Sequence, residues 1–354
     1  MKAADSIIQP GPSSPELIII PDLTIQPSEG FIDTIQRRAG EYPEISEDTQ
    51  KHETIDNPTI ATITNGGATL ETRLEGGHIT RLELEDPDSG QPVTIFNRVN
   101  EGVLRVFKQK TAGHVAVPMG KPSEIVEQHG FGRWAIWHQL FRKSAEESED
   151  GVARAAYQAE RPDTGESISR LIELSRSSVT ETTSVRNPLP GFTRDPSLPS
   201  DSYLDLYEYE KNNTIETSIG THPYLALPNG NVKDLKVDGK SLDELLGDGS
   251  EEAVLDEETL FYDISDKKNK NIGETIVDFP DGRRIKITAR YEGDVKPDYP
   301  VALWIWKRKD TDTICFEAMV GVDKDDNNDG ISLAPGQVAS LSVTYENMTR
   351  AAQD

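Results

Sequence analysis

The chain has 354 residues and a single cysteine, and 62 acidic side chains against 37 basic ones give it a formal charge of −25. One thiol excludes an internal disulfide framework, and the acidic balance argues against a nucleic-acid phosphate backbone or an anionic membrane surface as electrostatic partner. Hydrophobic residues make up 35% of the sequence, and no apolar run approaches the ~20 residues of a transmembrane helix.

Residues 1–56 are rich in Pro, Ser, Glu and Asp and carry no sustained period, so they read as an extended or disordered N-terminal arm with one short helix between Phe31 and Gly40. A secretory signature is missing: Lys2 is followed by Asp5, Pro10 and Pro12, and the run Leu17 to Ile20 is too short for a signal core. Together with the lone cysteine, this points to a cytoplasmic protein.

From Thr59 onward apolar and polar residues alternate. Thr59 to Thr64, Ala68 to Leu74 and His78 to Leu84 read as strands separated by the glycine pairs Gly66-Gly67 and Gly76-Gly77, and Val93 to Phe96 follows after Asp86-Pro-Asp-Ser-Gly. Further strands are expected at Val152 to Ala159, Ser167 to Leu174, Ser178 to Val185, Leu204 to Tyr209, Thr214 to Gly220 and Val232 to Val237. The last are Glu274 to Phe279, Arg284 to Tyr291, Ala302 to Lys307, Thr313 to Glu317 and Val338 to Tyr345. One short helix is expected at Ser241 to Leu246. Many short strands with turn signals and almost no helical period predict an all-β sandwich or large barrel, a single domain over residues 57–350.

Three stretches stand out chemically. In Ser218-Ile-Gly-Thr-His-Pro-Tyr-Leu, His222 precedes a proline, which pushes it towards extended backbone and places it at a strand end. Gln128-His-Gly-Phe-Gly-Arg-Trp offers His129 and Arg133, with Trp134 and Trp137 supplying flat apolar faces of the kind sugar rings stack on. Glu317 closes the apolar run Thr313-Ile-Cys-Phe-Glu, where a carboxylate is costly to bury without partners. Such a carboxylate is either paired or held for use. The expectation is that His129, His222 and Glu317 converge on one polar site. His52, His78, His114 and His138 read as surface or structural, and Trp304 and Trp306 are expected to divide between the two faces of their strand.

In this order, His-Gly-Phe-x-Arg, Gly-x-His-Pro-Tyr, Ile-Cys-x-Glu and Leu333-Ala-Pro-Gly, the chain resembles the galactose mutarotase-like family of aldose 1-epimerases and hexose-6-phosphate 1-epimerases, over roughly Thr59 to Tyr345. The resemblance implies a β-supersandwich with a sugar cleft on one sheet. It further implies interconversion of the α and β anomers of a hexose, with Glu317 as base, His222 as acid and His129 hydrogen-bonding the sugar. Arg133, Trp134 and an aspartate would complete the substrate-binding set, the aspartate being Asp263 in preference to Asp278. No metal and no organic cofactor is implied. The sequence departs from the family pattern where Ala318-Met319 follow the glutamate in place of Pro-Trp, and where Leu225 replaces an aromatic.

Two rival readings accompany this one. A hexose-6-phosphate 1-epimerase would need a basic pocket, for which Arg98, Lys121, Arg133 and Arg142 are the candidates; a carbohydrate-binding protein would keep the fold without turnover. Asp323-Lys-Asp-Asp-Asn-Asn-Asp-Gly fails the spacing of a calcium-binding EF-hand loop, since Gly330 falls two residues late and Ala334 stands where a glutamate is required. It reads as a solvated acidic turn. Asn212-Asn-Thr and Asn347-Met-Thr match glycosylation acceptors in a chain with no export signal.

Overall fold

The fold, taken from a computed structural model, is described for residues 60–74, 76–96, 114–117, 131–133, 135–160, 166–188, 214–227, 232, 234–246, 260–307, 312–323 and 330–348. The N-terminal arm and the expected strand from Leu204 to Tyr209 lie outside those residues.

In chain order the strands begin with β1 (Ile60–Asn65), β2 (Ala68–Arg73), β3 (Ile79–Glu85), β4 (Pro92–Phe96), β5 (His114–Ala116), β6 (His138–Lys143) and β7 (Ala153–Glu160). There follow β8 (Ser167–Leu174), β9 (Ser178–Arg186), β10 (Ile215–Thr217), β11 (Ile219–His222), β12 (Leu225–Ala226), β13 (Lys236–Val237) and β14 (Lys240–Ser241). The last are β15 (Leu260–Asp263), β16 (Ile272–Asp278), β17 (Arg284–Gly293), β18 (Ala302–Trp306), β19 (Thr313–Val320), β20 (Ile331–Leu333) and β21 (Val338–Met348). One helix, α1 (Leu242–Leu246), is described.

Local chemistry explains several boundaries. Gly66 has φ 60° and forms with Gly67 the two-residue turn that sets Asn65 opposite Ala68. Asp238-Gly239, with φ 50° and 79°, closes the β13–β14 hairpin in the same way. Positive φ at the first central residue of the Gly66-Gly67 turn, and at both central residues of Asp238-Gly239, matches the right-handed twist of the flanking strands. Ser241 and Glu244 form a capping box at the start of α1: the Glu244 amide donates to Ser241 Oγ at 3.2 Å, and the Ser241 amide donates to Glu244 Oε2 at 2.8 Å.

Among the described residues the strands form two large antiparallel sheets and a small ribbon. The first sheet joins β1, β2, β3, β4, β12, β19, β11 and β5, with β18 and β15 continuing outward from β19; the second runs β14-β13-β16-β17-β21-β9-β8-β7-β6. The ribbon is β10–β20. The expected strand from Thr214 to Gly220 is therefore two strands, broken at Ser218, whose halves pair in different sheets. The remaining strands fall where alternation places them, except that β19 runs three residues past the expected end at Glu317 and that, among the described residues of Val232 to Val237, only Lys236–Val237 pairs.

Period-two alternation packs one sheet on the other. From the first sheet Ile314, Phe316, Ala318 and Val320 of β19 face inward, and from the second Ile285, Ile287 and Ala289 of β17 with Leu341 and Val343 of β21 join the same buried core. Arg170 on β8 and Glu181 on β9 also point into this layer and pair at 2.8 Å, with side chains 1% and 6% exposed. Arg170 further donates through Nη1 to the carbonyl of Gly77 in the first sheet's β2–β3 turn. Other polar side chains bolt the sheets at their margins. Arg283, in the β16–β17 hairpin, donates to the carbonyls of Thr94 at 2.7 Å and Ala226 at 2.6 Å. Asn65 reaches across to the carbonyls of Gly151 and Leu174. No described helix is long and apolar enough to cross a membrane.

Two stability predictions follow from this layer. Arg170→Leu leaves the Glu181 carboxylate buried without its cation and is expected to cost ~3–5 kcal/mol, read from denaturant midpoints; Arg170→Leu with Glu181→Leu is expected to recover most of that loss, and an equal loss in the double variant would contradict the pairing. At Gly77, φ is 59° and an added Cβ meets Trp137 Nε1 at 2.7 Å. Gly77→Ala should therefore lower stability by ~1–3 kcal/mol, measured the same way, and an unchanged midpoint would show that the turn can relax.

Candidate functional site

The site is built by β19 and the broken strand beside it. β11 and β12 pair with the same edge of β19 in one register: Ile219 with Val320 and Gly220 with Met319, then Leu225 with Ile314 and Ala226 with Thr313. The break between them falls at Pro223, which has no amide proton to give the ladder. In the shared register His222 lies opposite Glu317, and Tyr224 opposite Cys315. The side chains confirm this, since His222 Nε2 stands 3.1 Å from Glu317 Oε1. Both groups are nearly sealed, at 7% and 4% side-chain exposure.

Alternation assigns the two faces of this sheet. Ile314 and Phe316 enter the inter-sheet core, whereas Cys315, Glu317 and Met319 point away from it, onto the outer face. On the neighbouring β18, Leu303 and Ile305 are core residues, while Ala302 and Trp304 pack with Met319, Ala116 and Phe261 on that outer face. Trp304 is the cross-strand partner of Glu317, and Trp306 that of Cys315. Trp306 meets the His222 ring edge-on, with centroids 6.0 Å apart, and Tyr224 stacks on it at 4.8 Å. The expectation that Trp304 and Trp306 divide between two faces is thus wrong: residues two apart in a strand share a face, and both tryptophans line the histidine–glutamate pair. The same two-residue spacing links Cys315 to Glu317 and Tyr224 to His222, and it was legible in the sequence.

The other expected site residues are placed less uniformly. His129 and Trp134 lie outside the described residues, as do Arg98 and Lys121. Arg133 closes a 3₁₀ turn at Phe131–Arg133 and is 3% exposed. Trp137 is a core residue rather than a sugar platform: it is 1% exposed, and its indole N–H donates to the carbonyl of Gly132 at 3.0 Å. Asp263 sits on β15, three strands from β11 and so ~14 Å away across the sheet. It is exposed, and its carboxylate accepts from the Ser265 amide at 2.9 Å. Asp278, the alternative, pairs with Arg284 on the second sheet at 3.3 Å. Arg142 is exposed on β6, also in the second sheet. His114, read as structural, is the backbone partner of His222 on β5. His78 is buried and His138 exposed.

Beneath the pair the structure is polar as well as apolar. Thr221, between Gly220 and His222, points inward, and its hydroxyl lies 3.3 Å from that of Tyr345 on β21. Burial pushes the Tyr345 phenol upward, so it is a neutral hydrogen-bonding group under all ordinary conditions. Cys315 lies beside the pair: its Sγ, a ring nitrogen of His222 and a carboxylate oxygen of Glu317 all fall within 4.8 Å of one another. Burial, and after it the neighbouring Glu317 carboxylate, raise the Cys315 thiol well above its ordinary value. Since the thiolate is the nucleophile, the folded protein should react with a disulfide reagent far more slowly than the denatured chain. Release of the reagent's chromophore measures this, and equal rates would show that Cys315 is open to solvent.

No protein-family model matches the sequence, and no curated protein matches it. Solved structures do. A galactose mutarotase-like protein from Lactobacillus casei shares 13% identity, with 82% of this chain and 100% of that one covered at a TM-score of 0.54. The homologue of GalM/aldose epimerase from C. elegans shares 12%, covering 83% of this chain and 100% of that one at a TM-score of 0.52. At such identities the likeness establishes the backbone architecture: the chain has the galactose mutarotase-like β-sandwich fold.

Proposed function

We propose that the protein is an aldose 1-epimerase-like isomerase that interconverts the α and β anomers of a hexose, with Glu317 as base and His222 as acid. The observation that carries this reading is the buried contact between the two side chains, ringed by Tyr224, Trp304 and Trp306. Aromatic faces suit the apolar faces of a pyranose, and a carboxylate beside an imidazole suits its hemiacetal chemistry.

The arrangement performs the reaction as follows. The Glu317 carboxylate takes the proton from the hydroxyl on C1 while protonated His222 gives one to the ring oxygen. The bond between C1 and the ring oxygen breaks, leaving an open-chain aldehyde. Both reacting oxygens are bonded to C1, so a donor and an acceptor in contact with each other reach them together. After the aldehyde turns, the hydroxyl that held the ring attacks its other face. His222 recovers its proton from that hydroxyl, and Glu317 returns its own to the new C1 oxygen. Each cycle therefore restores the starting protonation, and no proton is gained or lost. Burial strengthens both interactions by removing competing water.

Polarimetry on freshly dissolved α-glucose, α-galactose and hexose 6-phosphates tests this. The wild type should accelerate equilibration above buffer for at least one of them. Glu317→Gln, which keeps the side chain's shape, should lose ~10²–10⁴-fold in kcat with little change in thermal midpoint. His222→Asn should lose a similar factor. If no hexose or hexose phosphate equilibrates faster than in buffer, the enzymatic reading fails, and sugar binding without acceleration would mark a carbohydrate-binding protein.

A further inference from the structure

The proposed reaction leaves Cys315 unused, although it lies against both reacting groups. We propose that His222, Cys315 and Glu317 form a binding site for a thiophilic divalent cation of the zinc class, and that an ion held there blocks the hexose reaction. The inhibitory half of this inference rests on the function proposed above; the binding half does not.

The donor set points to that class of ion. One imidazole nitrogen, one thiolate sulfur and one carboxylate oxygen are the ligand types of zinc, and three protein ligands leave a fourth tetrahedral position for water. Calcium and magnesium require more oxygen ligands than this face supplies. Spacing agrees. Around a tetrahedral zinc, neighbouring donor atoms stand ~3.4–3.6 Å apart; here His222 Nε2 and Glu317 Oε1 are 3.1 Å apart, and all three donors lie within 4.8 Å. Tetrahedral coordination would require the histidine and glutamate to part by a few tenths of an ångström and the thiol to approach them. Cys315 and Glu317 are two apart on β19 and His222 lies opposite on β11, so hydrogen-bonded strands rather than a loop hold every ligand.

Charge and proton balance also agree. Coordination needs the His222 lone pair and the Cys315 thiolate, so the thiol proton, and any proton His222 carries on that nitrogen, leave to solvent as the bonds to the ion form. A carboxylate and a thiolate then neutralise the dication in a site where unbalanced charge is costly. The ion occupies the groups that handle the sugar's protons, so it and the hexose exclude each other.

The test uses Co²⁺ as a spectroscopic probe on the whole, metal-free chain. Wild type should show a thiolate-to-Co²⁺ charge-transfer band in the near ultraviolet and the intense visible bands of tetrahedral Co²⁺, both displaced by Zn²⁺. Cys315→Ser should lose the charge-transfer band and weaken Zn²⁺ binding roughly tenfold or more. Glu317→Gln should weaken the ion as well. Zinc should inhibit wild type competitively with hexose, and Cys315→Ser should relieve that inhibition. Absence of the charge-transfer band, or Zn²⁺ affinity and inhibition equal in wild type and Cys315→Ser, overturns the site and assigns any bound ion to the acidic surface. A band in a protein without mutarotation sinks the functional reading and leaves the metal site standing.

Discussion

A carboxylate buried on a β-sheet is the constraint around which this protein is arranged. Glu317 stands in mid-strand with 3% of its surface exposed, and a lone carboxylate there would carry a desolvation cost of several kcal/mol. His222, brought opposite it by the register of β11 on β19, offsets part of that cost. Pro223 ends that strand one residue later, and the chain resumes in the same register as β12. The interruption falls next to the histidine and leaves the rest of the sheet intact.

The molecule contains a second buried pair of similar closeness, and the contrast is instructive. Arg170 and Glu181 meet at 2.8 Å between the sheets, among aliphatic side chains. That pair faces a sealed core where no substrate can enter, so its role is to tie β8 to β9 and, through the carbonyl of Gly77, one sheet to the other. His222 and Glu317 face outward among aromatic rings, beside a thiol. The two pairs differ in the face of the sheet they occupy rather than in their closeness. Arg283 serves the site indirectly, since its bond to the carbonyl of Ala226 fixes β12 against the opposite sheet.

Likeness to solved structures at 12–13% identity fixes the path of the backbone. Unrelated chemistries share folds, so activity has to be argued from side chains. One row of the sheet carries the candidate pair: His114 is paired with His222, His222 lies opposite Glu317, and Glu317 is paired with Trp304, which is paired in turn with Phe261. The row crosses five strands drawn from well-separated parts of the sequence. Its neighbour carries Tyr224, Cys315 and Trp306, which accounts for the thiol and the second tryptophan lying against the pair.

What the sequence by itself determined was local. Alternation marked most of the long strands, Gly66-Gly67 marked a hairpin, Ser241 to Leu246 marked the one described helix, and His222-Pro and an isolated Glu317 in an apolar run marked the unusual positions. Each of these signals belongs to consecutive residues, because backbone sterics and the two-residue pleat act over a few bonds. Short strands such as β5 and β20 carry too few residues to show a period. Tertiary structure alone decided that His222 and Glu317 touch, that Arg170 finds Glu181, that Asp263 stands exposed three strands away and that Trp137 is sealed in the core. Those outcomes depend on strand order and register across long stretches of chain. Register is set by the packing of whole faces against each other, and no window of neighbouring residues contains it.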